Sequence, residues 1–324
     1  MVSTWGEVEQ ELLASRTGNG PPDFDQVRRR YLRELSEYTG RSVILYETAG
    51  FAPPLGATPD SIQISLDPDV GAFMEVVHGL NPKQPLDLIL HSPGGTADEA
   101  ESIVEYLRGR FPGLRVIVPI AAMSAATMVA MAADEIVLGD HSQLGPIDPQ
   151  LTISTPEGPR TAPAAAIRKQ FQDATEDLKK NPEHMAAWLP IIRGLSPALL
   201  QICDDAERLA TSMVTDWLEK YMFASSEGAR ARAEAVATAL SDYDQHMSHG
   251  RRLGKAQLRQ LGLHITDLEE DDRLQDLVLS VHHAVNHLMN HTGAVKIVEN
   301  HLGKAFIRRV GQLAIPIQQT AHPI

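Results

Sequence analysis

Cysteine is nearly absent from this chain. Its 324 residues include a single one, Cys203, so no disulfide can form within the chain and a reducing compartment is expected. Cys203 ends the apolar stretch Leu199–Cys203 and is followed by Asp204 and Asp205, the reverse of the electropositive setting a nucleophilic thiol needs. Aromatic residues make up only 5%, so the core must rest on Leu, Ile, Val, Ala and Met. An excess of positive charge is also missing. The formal charge of −13 excludes a general surface for nucleic acid or anionic lipid. No apolar run approaches the ~20 residues needed to cross a bilayer. The opening segment carries Glu7, Glu9 and Glu11 instead of the basic-then-apolar order of a signal peptide. Together these absences predict a cytoplasmic protein without nucleic-acid or membrane partners.

What is present fits an ordinary globular chain, 43% hydrophobic and 22% charged. The spacing predicts a charged helix over Asp23–Tyr38, a strand over Ser42–Tyr46, alternation at Ile62, Ile64 and Leu66 suited to a strand, and a helix over Pro68–Leu80. The middle is the most regular part. A strand over Leu86–Leu90 is followed by a helix whose Ala97, Ala100, Ile103, Val104 and Leu107 share a face. Then come a strand over Val116–Ile120, a wholly apolar helix over Met123–Ala133 and a strand over Ile136–Leu138. Such alternation predicts parallel strands covered on both faces. Beyond Gln150 a Pro/Gly/Thr loop is expected over Ser154–Pro163, helices over Ala164–Leu240, and a short turn and strand within Leu258–Thr266. Helices are expected over Asp272–His291 and Val295–Val310, and a tail over Pro316–Ile324. The expected organisation is an N-terminal helical extension (1–40), a central domain with a helical insertion (41–266) and a C-terminal helical segment (267–324).

Two turns carry chemistry. Ser92-Pro93-Gly94-Gly95 follows a buried strand and precedes a helix. Paired glycines there let the backbone take positive φ and aim amide N–H groups at a ligand, as an oxyanion hole requires. The second turn, Ala121-Ala122-Met123-Ser124-Ala125-Ala126-Thr127, puts Ser124 at the start of a helix too apolar to be exposed. Taken alone, the first could be a plain strand-to-helix turn and the second an N-cap serine. Both lie at the carboxyl ends of adjacent parallel strands, where open α/β sheets bind ligands. One offers donors and the other a hydroxyl.

From Ile62 to Gln150 the sequence resembles the Clp-protease/crotonase superfamily. Within it the chain is most similar to the serine dehydrogenase proteinase family, relatives of signal peptide peptidase A. The carrying residues are Leu88-Ile89-Leu90-His91-Ser92-Pro93-Gly94-Gly95, Met123-Ser124-Ala125-Ala126-Thr127, Ala132-Ala133-Asp134-Glu135-Ile136-Val137 and Leu144-Gly145-Pro146-Ile147-Asp148-Pro149-Gln150. A fainter echo, His249-Gly250-Arg251 through Leu261-Gly262-Leu263, resembles the segment that closes the peptidase domain. The resemblance implies an α/β fold of repeated ββα units with a parallel sheet, flanked by additional N- and C-terminal helices. It implies Ser124 as nucleophile, the Gly95 and Ala125 amides as oxyanion donors, and Gly94 and His91 lining a substrate site. A peptide or protein substrate, a homo-oligomer and no cofactor or metal complete the expectation.

The base is the departure from the pattern. Clp proteases place a histidine where this chain has Ile147-Asp148-Pro149. Signal peptide peptidase A relatives use a lysine further along, and Lys169 lies 45 residues after Ser124. A lysine serves as a base only when burial or neighbouring positive charge lowers its pKa. The apolar approach Ala162–Ile167 and Arg168 favour Lys169 over Lys179 and Lys180, and a Ser124–Lys169 dyad is the expectation. His141 reads as a loop histidine, and Asp148 as a site hydrogen-bonder or a turn cap. His283, His287 and His291 share a helix face, which reads as a polar face or contact surface more than a metal site. Gly94-Gly95 lacks the third glycine and the acidic residue of a dinucleotide fingerprint, so no dehydrogenase is expected. The alternatives to an acyl-enzyme hydrolase are a non-hydrolytic scaffold of the same fold and, more weakly, enolate chemistry on a thioester.

Overall fold

Strands that are apolar at nearly every position need cover on both faces, and the chain supplies it. A computed structural model describes residues 4–155, 158–195 and 198–310; the tail expected over Pro316–Ile324 lies outside them. The first part of the chain contains α1 (Trp5–Ala14), α2 (Phe24–Thr39), β1 (Ser42–Thr48), α3 (Pro59–Ile62), α4 (Leu66–Val77) and β2 (Leu86–His91). The middle adds α5 (Ala97–Arg110), β3 (Leu114–Val118), β4 (Ala121–Ala122), α6 (Ala125–Met131), β5 (Glu135–Leu138) and β6 (Gln143–Leu144). Next come β7 (Gln150–Thr155), β8 (Gly158–Pro163), α7 (Ala164–Lys180), α8 (Met185–Arg193), α9 (Leu199–Lys220) and α10 (Ala229–Ser241). The rest is α11 (Tyr243–His246), α12 (Lys255–Gln260), β9 (Ile265–Asp267), α13 (Asp272–His291), β10 (Ala294–Asn300) and β11 (Ala305–Arg309).

The main sheet has the order β11-β10-β1-β2-β3-β5-β9. From β1 to β9 the strands are parallel, and β10 and β11 add an antiparallel hairpin at one edge. The period-two alternation of side chains sorts the core. Ile44, Tyr46, Leu88, Leu90, Val116, Val118, Ile136 and Leu138 face one cluster, shared with α4, α5, α6, α9 and α10. Val43, Leu45, Ile89, Ile117 and Val137 face the other, with α1, α2 and α13. The N-terminal helices therefore cover the sheet. Arg28 and Arg29 of α2 both pair with the buried Glu299 of β10.

Three local expectations fail. The helix expected over 295–310 is the β10–β11 hairpin. Val295, Ile297 and Val298 are β-branched, Ile297 and Val298 enter opposite cores, and the scattered basic residues had imitated a helix end. The loop expected over Ser154–Pro163 belongs to the β7–β8 hairpin, where the hydroxyls of Thr152 and Thr161 meet across the strands at 3.1 Å. The alternation at Ile62, Ile64 and Leu66 is no strand. α3 ends at Ile62, α4 begins at Leu66, and between them Ile64 makes one parallel bridge, to Gly95.

Candidate active site

The chain leaves β3, runs through the two-residue β4 and turns into α6 at Ser124. Ser124 holds φ 53° and ψ −123°, a region that residues with a Cβ rarely occupy, at a cost of order 1–3 kcal/mol. It is no ordinary N-cap, because caps take extended dihedrals and its hydroxyl bonds none of the helix amides. All seven residues of α6 are buried, so packing fixes the helix and with it the turn.

The Ser92–Gly95 turn lies against it. Ser92 N–H donates to Ala121 O (3.1 Å) and Met123 N–H to Ser92 O (3.0 Å), which ties the end of β2 to β4. Gly94 sits at φ +104°, and a Cβ there would fall 2.7 Å from Ser124 Cβ and 2.9 Å from Ala125 N. On Gly95 a Cβ would fall 2.2 Å from Ile64 O. Gly94 is thus required by both dihedral and close approach, and Gly95 by close approach alone. Among the described residues neither the Gly95 nor the Ala125 N–H has a protein acceptor.

A further strand pair continues from β4. β4 runs parallel to β6 with Ala122 opposite Leu144, and Leu144 pairs antiparallel with Leu253. Four residues past Leu144 and four before Leu253, Asp148 and His249 meet each other across the same pairing. Thr127 Oγ donates to Ala122 O (2.8 Å) and accepts from Gly145 N–H (3.0 Å), bracing the β6 exit against α6. His249 Nδ1 lies 2.8 Å from Asp148 Oδ1. The Asp148 side chain is 3% exposed and that of His249 is 28%. The second Asp148 oxygen accepts from Gln150 Nε2 at 2.7 Å. Sequence reasoning passed over this pairing, since its members stand 101 residues apart. The only available signal was the His249-Gly250-Arg251 echo.

Lys169 lies elsewhere in character. Its side chain is 58% exposed and its ammonium sits 3.4 Å from Asp244. It lines a cavity of about 850 Å³ among α7, α9, α10 and the following turn, together with Arg168, Glu207, Thr215, Arg230 and Tyr243. Ser124 does not line that cavity. Burial pushes the Glu207 carboxyl up against the pull of Arg168, and Asp204 and Asp148 add to the rise. Lys179 and Lys180 are exposed at the end of α7.

His91 turns its ring to the Ala121 backbone (Nδ1 to O, 3.0 Å) and packs between Phe51 and His282, and burial lowers its pKa to about 4. His287 stacks on Trp5 of α1 at 3.9 Å between ring centres, and His291 packs near Phe24 of α2. The histidine face of α13 is therefore a contact surface for the N-terminal helices. Among the described residues no group of three or more His, Cys, Asp or Glu side chains is arranged to hold a metal ion. His141 is exposed. Cys203 is buried, and burial followed by Glu207 and Asp204 pushes its thiol up, away from reactivity.

Residues 68–271, more than half of the chain, match the family of ClpP-like SDH-type serine proteinases. The chain belongs to that family. Two uncharacterised proteins of Methanocaldococcus jannaschii, MJ0137 and MJ1495, are each 32% identical to it, over 150 and 124 residues. Those stretches cover 46% and 38% of this chain, and 51% and 42% of the respective relatives, so the similarity spans about half of the curated relatives' length. The expected fold class holds: the family is ClpP-like and the sheet is large and mostly parallel. Among the described residues no helix is long and apolar enough to cross a membrane.

Proposed function

We propose that this member of the ClpP-like serine proteinases hydrolyses peptide bonds through an acyl-enzyme on Ser124, with His249 as the base and Asp148 as its orienting carboxylate. The observation that carries the reading is the Ser124 turn. A strained, partly exposed serine without a capping bond stands beside two amides with no protein acceptor among the described residues. Strain of this kind persists where surrounding structure over-determines it, as at a nucleophile.

For the base, charge and burial favour His249 over Lys169. Lys169 is exposed and paired with Asp244, without the burial that a lysine base needs, whereas His249 meets a buried carboxylate. The His249 imidazole has Nδ1 against a buried carboxylate, which fixes that nitrogen as N–H and leaves Nε2 as acceptor. In the reaction Ser124 Oγ attacks the scissile carbonyl carbon and passes its proton to His249 Nε2. The carbonyl oxygen becomes an oxyanion that accepts from the Gly95 and Ala125 N–H groups. Collapse breaks the C–N bond, and the leaving amine takes the proton from His249. Water then repeats the sequence on the ester, releasing the acid and restoring Ser124.

Assembly with further copies of the chain belongs to the same proposal. α8 buries none of its residues and exposes Met185, Leu189 and Ile191, apolar surface that a second copy would cover. A mass measurement in solution tests this, and a monomer at micromolar concentration refutes it.

Fluorophosphonate labelling tests the chemistry. Labelling should vanish in Ser124→Ala, fall about 100-fold or more in His249→Ala and Asp148→Asn, and persist in Lys169→Ala. Loss in Lys169→Ala with retention in His249→Ala would hand the base to the lysine. A folded wild-type protein that never labels would be a scaffold.

A further inference from the structure

Behind the Ser92–Gly95 turn lies a buried ion pair that joins Asp69, just inside the residues that match the family, to Lys296, well beyond them. Lys296 of β10 and Asp69 of α4 both have fully buried side chains, with Nζ 2.7 and 2.9 Å from the two carboxylate oxygens. Tyr46 of β1 donates its hydroxyl to Asp69 Oδ2 at 2.6 Å. Tyr46 precedes the matched segment and Lys296 follows it.

An isolated buried ion pair adds little to stability compared with an apolar pair of similar volume, because desolvation offsets the attraction. This pair holds something an apolar pair could not. Lys296 Nζ also donates to Gln63 O (2.7 Å), and Asp69 Oδ2 accepts from Ser65 N–H (3.0 Å). The two charges thus grip the backbone on both sides of Ile64. Ile64 N–H in turn donates to Gly94 O (2.7 Å), and Ile64 O lies so close to Gly95 that no Cβ fits. Gly94 is pressed against Ser124 Cβ and Ala125 N. The contacts form a continuous path from Lys296 and Asp69 through Gln63–Ser65 and Gly94–Gly95 to the serine.

We propose that Lys296, Asp69 and Tyr46 are positioning residues that set the Gly95 amide for the oxyanion, so that the terminal segments of this chain tune the reactivity of Ser124. The inference rests on the hydrolase reading for its catalytic consequence, and on the Ile64–Gly94 contact alone for its geometry. Burial lowers the Lys296 pKa, and the carboxylate of Asp69 opposes that change. A displacement of about 1 Å at a reacting group costs roughly 100-fold in rate, so a shifted amide should be easy to detect.

The experiment compares wild type with Tyr46→Phe, Lys296→Met and the paired apolar replacement Lys296→Met with Asp69→Leu. The readouts are thermal unfolding, the fluorophosphonate acylation rate constant separated from the probe's apparent affinity, and amide hydrogen exchange at Ile64. The paired variant removes both charges, so it is the informative one if Lys296→Met alone fails to fold. The expected result is a paired variant with wild-type Tm, acylation slowed roughly 10- to 100-fold at unchanged probe affinity, and Ile64 exchange accelerated about tenfold or more. Tyr46→Phe, which removes one bond from the network, should slow acylation by a few-fold. Acylation and exchange both unchanged in the paired variant would reduce the network to a structural ion pair and overturn the proposal. If wild type does not label at all, the hydrolase reading falls, and Ile64 exchange still decides this one: acceleration supports the mechanical link and no change refutes it.

Discussion

The Ser124 turn and the Lys296–Asp69 pair lie on one path of contacts, yet their polar groups are used in opposite ways. Around Ser124 the backbone is strained, the hydroxyl makes no hydrogen bond to the described residues and two amides lack protein acceptors. Around Lys296 the ammonium has three strong acceptor contacts, and one carboxylate oxygen of Asp69 also takes a tyrosine hydroxyl and a backbone amide. A polar group with all its partners in place can only hold its neighbours still. One left without a partner can meet a substrate. The fold keeps the first kind beneath the sheet edge and the second at the tip of a turn that packing does not allow to relax.

Four outcomes would break or sharpen this contrast. The largest effect is expected at Gly94→Ala, where the new methyl collides with Ser124 Cβ and the Ala125 amide. Acylation should fall about 100-fold or more while circular dichroism stays that of the wild type. A rate within threefold of wild type would mean that the two turns do not act as a unit.

The second is pH dependence of stability. Burial lowers the pKa of both His91 and His283 to about 4 from an ordinary 6.5, with His282 and, for His283, His287 adding repulsion. Both rings stay neutral in the native state while the unfolded chain takes up protons below pH 6.5. The unfolded state therefore binds more protons between about 6.5 and 4. Their contribution to stability is complete above pH 6.5 and is lost as pH falls through that window, by about 1.4 kcal/mol per pH unit for each group. Denaturant titrations across pH 4–7 measure the slope, and His283→Gln should flatten it.

Third, Ser124→Gly and Ser124→Ala should both abolish labelling but differ in stability. Glycine accepts φ 53° without steric cost, so the glycine variant should be more stable than the alanine one by about 1 kcal/mol. Equal stabilities would show that the turn stores no strain. The smallest effect is expected for Lys169→Ala. An exposed pair with Asp244 contributes about 0–1 kcal/mol, so Tm should scarcely move.

Much of the fold was legible in the residues. The apolar runs at Leu86–Leu90 and Ile136–Leu138 became parallel strands, and Asp272–His291 became a helix over that very span. The two turns were legible too, because paired glycines after a strand and a serine before an all-apolar helix limit what the backbone can do. Segments with mixed signals were misread. Val295–Val310 carries basic residues that imitate a helix end, and only the open edge of β1 makes it a strand. Lysine is rarely buried, and Lys296 is buried here because Asp69, 227 positions earlier, comes to meet it.

The sequence by itself therefore determined the α/β class, the parallel strands with their two covered faces and the turn that offers Ser124. These follow from local periodicity and from the dihedrals that glycine and small residues permit. The tertiary structure alone decided which distant groups meet: Asp148 with His249, Lys296 with Asp69, and the histidine face of α13 with the N-terminal helices. Charge pairing and burial depend on where the chain returns in space, and residues more than a hundred positions apart carry no local trace of that return.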